Sequence, residues 1–270
     1  LVNEENPGDI LLNSINELIL KLLNKKDISI SDVEVIGIAS PGLVNNTTII
    51  KATNLNLKNY NIVEKLNENY KRPIQLRNDA KCAALAEKAY GSLKQYDDSI
   101  FITLGTGIGG AVFLNGELLR TQNSDAFEIG HMVIDKNGKK CSCGRNGCFE
   151  TFASMKKLKI DIKNRLKLQN NTTGTELEQI LEDETTYKKI EDIFNEYIEN
   201  LSIGIVNLIN IFEPEAVSIG GSFAYYEKYM LDKLINEIEN NQNRFNDTNS
   251  IVFKTATYKN DAGIIGATIG

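Results

Sequence analysis

A chain of 270 residues, 41% hydrophobic and 24% charged, has room for one large globular domain or two moderate ones. A formal net charge of −6 is unsuited to binding nucleic acid by broad phosphate neutralisation. No apolar run approaches the ~20 residues that cross a bilayer, and the polar start Leu1 to Asp9 lacks the pattern of a signal peptide. A cytoplasmic address with no membrane partner is the expectation. The chain opens on Leu1 rather than Met, which reads as residues missing upstream or a trimmed start.

Asp9 to Leu23 carries apolar residues at three- and four-residue steps (Ile10, Leu11, Ile15, Leu18, Ile19, Leu22) and predicts an amphipathic helix. Val33 to Ala39 predicts a buried strand broken by Ser40-Pro41-Gly42. Thr48 to Lys51 predicts a short strand, Asn61 to Tyr70 a helix, and Pro73 to Leu76 an extended segment running into Arg77-Asn78-Asp79. Ala80 to Tyr90 predicts a helix with Asp79 at its N-cap and Gly91 past its end. Ser99 to Leu104 and Ala111 to Leu114 predict strands around the run Gly105-Thr106-Gly107-Ile108-Gly109-Gly110, and Asn115-Gly116 a hairpin turn. Ser154 to about Ile209 reads as mostly helical. Ala216 to Ile219 predicts a strand ending in Gly220-Gly221, Tyr225 to Asn240 a helix, Ile251 to Thr255 a strand and Ala262 to Ile269 a closing helix. Strands alternating with helices, with hairpins mixed in, imply α/β layers with mixed sheets.

Three of the four cysteines and the only histidine fall within His131–Cys148. His131, Cys141, Cys143 and Cys148 make a Cys3His donor set, which suits a closed tetrahedral zinc site better than a disulfide in a cytosolic chain. Gly144 and Gly147 let so short a loop wrap one ion. Cys82, in the alanine-rich helix, reads as a small core residue.

The glycine run 105–110 leads into a β pattern rather than a helix and has no Lys-Ser/Thr after it. It is therefore neither a dinucleotide fingerprint nor a Walker A loop. It is either a plain tight hairpin or a cradle of backbone N–H groups for phosphate, with the Thr106 hydroxyl added. Gly220-Gly221 is likewise either a plain turn or a close approach for a ligand. Asp79, at a strand end and a helix start, either caps the helix or serves as an ionised proton acceptor. Glu128 and Glu150 flank the cysteine loop, as solvated charges or as acceptors for sugar hydroxyls.

Four segments together resemble the ROK family (repressors, open reading frames and kinases). Glu128-Ile129-Gly130-His131 is similar to its E-x-G-H element, and residues 141–150, CSCGRNGCFE, to its C-x-C-G-x-x-G-C-x-E signature. Asn78-Asp79 with Ala83-Ala84-Leu85-Ala86-Glu87 resembles its catalytic segment, and Leu104 to Gly110 its second phosphate segment. The resemblance implies an actin-like ATPase (ribonuclease H-like) fold of two α/β domains around a cleft. The expected division is 1–77 with 260–270, and 78–259. It implies Asp79 as catalytic base, and Asn78, Glu128, His131 and Glu150 as sugar ligands, with Gly42 and Asn54 also lining the sugar pocket. Thr106, Gly107, Gly220 and Gly221 would contact ATP, accompanied by Mg²⁺. His131 would give one ring nitrogen to structural zinc and the other to the sugar. The family opens with a strand, a D-x-G-G-T turn and a second strand. That first phosphate hairpin, about 35 residues by usual strand lengths, is absent from this sequence. The implied activity is ATP-dependent hexokinase, glucose first, in a homodimer. N-acetylmannosamine kinase and a sugar-responsive transcriptional regulator are the alternatives.

Overall fold

The computed structural model describes residues 5–120, 127–240 and 244–269; Leu1 lies outside them. The chain divides into two compact units. One comprises Leu1–Glu87, Leu119–Ala126 and Asn260–Gly270; the other comprises Lys88–Leu118 and Phe127–Lys259.

The first unit begins with α1 (Pro7–Lys26), longer at both ends than its apolar period predicts. Proline in its first turn pre-sets φ, and Asp27 ends it in the left-handed region at φ 55°. Leu11, Leu12, Ile15 and Ile19 pack on a core of Val44, Ile49, Leu57, Ile62, Leu66 and Leu76. Two separate sheets follow. β1 (Ile36–Ser40) pairs in parallel with β5 (Ile74–Asn78), so that Ser40 stands opposite Asn78. β2 (Leu43–Val44), β3 (Ile49–Ala52) and β4 (Leu57–Tyr60) form an antiparallel meander. Of these three, only β3 is expected from the sequence pattern. α2 (Ile62–Tyr70) is capped by Asn61, whose side chain accepts from the Glu64 N–H. α3 (Asp79–Tyr90) leaves β5, and α10 (Ala262–Gly266) closes the unit.

Only a hydrogen fits at two points of that closure. A Cβ on Gly266 would lie 1.7 Å from the Cys82 carbonyl, and one on Gly37 2.5 Å from the Ala267 carbonyl. Cys82 is fully buried, as expected. Among the described residues β1 is paired on one edge only. Beside it Leu11, Ile15, Leu18 and Leu22 of α1 line an apolar groove of about 580 Å³.

The second unit is built on a five-stranded sheet in the order β10-β9-β6-β7-β8. β6 (Ser99–Leu104) is its centre and almost wholly buried. β7 (Ile108–Leu114) returns antiparallel to it, and β9 (Ala216–Gly221) runs parallel on its other side. β8 (Glu117–Leu118) follows the Asn115-Gly116 turn, in which both residues have positive φ, as a type I′ turn requires. β10 (Val252–Thr255) pairs with β9.

The helical stretch resolves into α4 (Phe149–Ala153), α5 (Met155–Leu166), α6 (Gly174–Ile180), α7 (Glu184–Lys188) and α8 (Glu191–Phe212). α9 (Glu227–Asn240) starts later than its period predicts, because a 3-10 turn (Ser222–Tyr225) intervenes after Gly221. α8 carries the core of this unit. Its Gly204 admits the ring of Phe149, itself wholly buried; a Cβ there would sit 2.3 Å from that ring. Tyr197 donates to the Ala153 carbonyl at 2.9 Å. Both contacts seat α4.

Gly204→Ala should therefore lower the unfolding free energy by about 1–3 kcal/mol through overpacking. Urea denaturation checks this; a shift within error would show that the α4–α8 packing is loose.

Candidate functional site

The metal loop starts from a 3-10 turn (Ile129–His131) that rests on β7. Gly130 lies so close that a Cβ would be 2.2 Å from the Ile108 carbonyl, and Ile129 fills the space over Gly110. The chain then folds back on itself. Ile134 N–H donates to the Gly147 carbonyl at 3.0 Å, Cys141 N–H to Arg145 at 2.8 Å, and Gly147 N–H to Lys139 at 2.9 Å. Gly144 and Gly147 have φ of 95° and 71°, and a Cβ on Gly147 would meet the Asp135 carbonyl at 1.6 Å. Both glycines do what the spacing asked of them.

These turns bring His131, Cys141, Cys143 and Cys148 together, with one donor atom of each within 4.8 Å of every other. Zinc–sulfur and zinc–nitrogen bonds of ~2.3 and ~2.0 Å set tetrahedral edges of about 3.5–3.8 Å. Cys143 Sγ to Cys148 Sγ is 3.6 Å, and Cys141 Sγ to His131 Nδ1 is 3.5 Å. The donor set thus fits a zinc-sized ion, with Nδ1 as the imidazole donor facing the thiols. Cys141 and Cys148 are buried and Cys143 is exposed. Burial pushes the Cys148 thiol up to about 12, with neighbouring thiols adding to it. Burial also raises Cys141, while the Arg145 backbone N–H lowers Cys143. A bound cation supplies the charge that buried thiolates lack.

Glu150, in the first turn of α4, joins this cluster. Its Oε1 accepts from Cys141 Sγ at 3.1 Å and lies 3.7 Å from His131 Nδ1. Glu128 is exposed at the start of the 3-10 turn, where its backbone carbonyl accepts from His131 N–H at 2.9 Å.

The two glycine segments are neighbours. β6 and β9 are parallel with Thr103 opposite Gly220 and Leu104 opposite Gly221, so both turns leave the carboxyl ends of adjacent strands. Ligands of α/β sheets sit at such ends. Gly221 has φ 70°, and a Cβ would lie 2.5 Å from the Leu104 carbonyl. In the other turn Gly105 N–H donates to the Gly107 carbonyl at 3.0 Å, and Lys156 N–H of α5 donates to the Gly105 carbonyl at 3.0 Å. The N–H groups of Thr106 and Gly107 have no acceptor among the described residues. The Lys156 contact is tertiary and had no sequence signal.

In the first unit, Asn78 and Gly42 meet: Asn78 Nδ2 donates to the Gly42 carbonyl at 3.0 Å. The expectation that Asp79 caps α3 is corrected. Asn78 Oδ1 accepts from the N–H groups of Ala80 at 3.0 Å and Lys81 at 3.2 Å, which is the capping pattern. Asp79 is the first helical residue, exposed, with Oδ1 accepting from Ala80 N–H at 2.8 Å. Asn54 is exposed in a 3-10 turn (Thr53–Leu55).

The fold is of the actin-like ATPase type. The fold matches a ROK glucokinase from Streptomyces griseus, solved with glucose and AMPPNP, at a TM-score of 0.81, covering 94% of this chain and 86% of that one at 24% identity. The ROK family model matches residues 2–269, and the chain belongs to the ROK family. It is 30% identical over 294 residues to a glucokinase of Halalkalibacterium halodurans, covering 98% of this chain and 84% of that protein. It is also 33% identical over 204 residues to the xylose repressor of Bacillus subtilis, covering 75% of this chain and 52% of the repressor, so it spans about half of that relative. Among the described residues no helix is long and apolar enough to cross a membrane.

Titration with zinc or cobalt should reach one ion per chain. Cys148→Ser should weaken binding by at least about tenfold, the scale on which even outer-shell partners act. Protons compete for the thiolates, so affinity should fall as pH falls. A metal-indicator competition assay reads all three; saturation far below one ion per chain would dismiss the site.

Proposed function

We propose that this chain is an ATP-dependent sugar kinase that phosphorylates a hexose hydroxyl, with glucose the first substrate to test. The observation that carries this reading is the division of labour at the head of α3. Asn78 does the capping, which leaves the Asp79 carboxylate exposed at a helix N-terminus. A carboxylate so placed can accept a proton from a hydroxyl. A sugar sensor has no use for such a base.

In this reading Asp79 takes the proton of the sugar hydroxyl as its oxygen attacks the γ-phosphorus. ADP leaves, and the sugar keeps the phosphoryl group. Thr106, Gly107, Gly220 and Gly221 hold the phosphates through backbone N–H groups and close approach. Asn78, Glu128, His131 and Glu150 orient the sugar, with Gly42 and Asn54 at its edge. Magnesium, when bound, offsets charge on the phosphates. Zinc, when bound to His131, Cys141, Cys143 and Cys148, stiffens a loop that presents His131 and Glu150. A cytoplasmic homodimer is part of the same reading.

Identity to a xylose repressor favours a second reading, a sugar-responsive regulator, and N-acetylmannosamine is the main rival substrate. A coupled ADP-release assay with a panel of hexoses separates them. The expected result is turnover with glucose that Asp79→Asn lowers by about 10²–10⁴-fold, with sugar affinity retained. Sugar binding without turnover on any hexose, with zinc and magnesium present, would leave the regulator.

A further inference from the structure

The glycine turn and the metal loop meet at Gly107. A Cβ built there would lie 2.7 Å from Glu150 Oε2 and 3.7 Å from the carboxylate carbon, with nothing else within 4 Å. The Glu150 carboxylate occupies the space that a side chain at 107 would take. At Gly105 the same construction meets nothing within 4 Å. One glycine of the turn thus faces open space, while the other is covered by an acidic group.

Glu150 is held in this position from its far side. Oε1 accepts from Ser142 Oγ at 3.4 Å, a contact that uses no metal ligand. α4 itself is anchored, because Phe149 N–H donates to the Met132 carbonyl at 2.7 Å. The turn is anchored as well, through Lys156 N–H on Gly105. Two fixed segments therefore hold a carboxylate against backbone whose free N–H groups suit phosphate. No Lys or Arg side chain pairs with Glu150 among the described residues.

We infer that Glu150 gates the phosphate turn: seated on Gly107, its carboxylate opposes a nucleotide triphosphate until a sugar hydroxyl draws it away. This rests on the kinase reading, in which the turn takes phosphate and Glu150 takes sugar. Like charges about 5 Å apart, at the effective dielectric of a protein surface, shift an affinity by about tenfold or more. Sugar and nucleotide then help each other to bind, and reciprocity requires the same factor in both directions.

The test is calorimetric titration of the metal-loaded chain with magnesium and AMPPNP, with and without glucose. In the unaltered protein glucose should tighten AMPPNP binding about tenfold. Glu150→Gln should bind AMPPNP about tenfold more tightly without sugar and gain little from glucose. Glu128→Gln, which removes a carboxylate that does not lie on the turn, should lose sugar affinity with no such gain. If Glu150→Gln loses its zinc or its fold, Glu150→Asp withdraws the charge from Gly107 and should show part of the gain. AMPPNP binding that neither variant tightens would overturn the gate and leave the kinase reading standing. No AMPPNP binding by any form, with or without glucose, would overturn both.

Discussion

Four side-chain donors meeting at one point shape the loop from residue 131 to 148. The segment has scarcely any apolar core, and four of its eighteen residues are the donors themselves. Its backbone is folded by carbonyl and N–H pairs that glycine alone permits at positions 144 and 147. Backbone pairing more than hydrophobic packing thus sets where His131 and Glu150 stand. Phe149, next to Glu150, then ties the loop into the core against Gly204 of α8. The four candidate donors gather at one end of the loop, and Phe149 is buried at the other.

The strand pairing of the second unit completes the arrangement. A parallel β6–β9 pair with matched ends places two glycine segments side by side, although more than a hundred residues separate them in the chain. The antiparallel β7 brings Ile108 and Gly110 against the start of the metal loop. The glycines at 107, 110 and 130 share one property: each is a place where another segment must come closer than a methyl group allows. Their density around this turn reflects contact between segments more than freedom of the backbone.

Much of this was legible because the signals are local. The Cys-x-Cys…Cys spacing, the strand–turn–strand around residue 105 and the Asn-Gly turn each specify their own geometry. β2 and β4 were not legible: two and four residues long, they are held by pairing to β3 rather than by any period of their own. Asp79 was read as the cap because Asp suits that role, but its neighbour Asn78 suits it equally, and one residue of register decides between them. The contacts of Glu150 with Gly107 and of Lys156 with Gly105 join segments some fifty residues apart. Nothing in either segment alone announces them.

The closing helix α10 has a consequence for how the molecule is made. Gly266 and Ala267 fit against Cys82 and Gly37, and Arg77 donates to the Ile269 carbonyl, so residues near the end of the chain finish a unit begun at its start. On the ribosome, α1 to β5 precede the second unit and wait for α10 while that unit is synthesised. The later-born unit can therefore settle before the earlier one is sealed. During that interval the β1–β5 pair lacks the contacts of Ala267 with Gly37 and of Ile269 with Arg77.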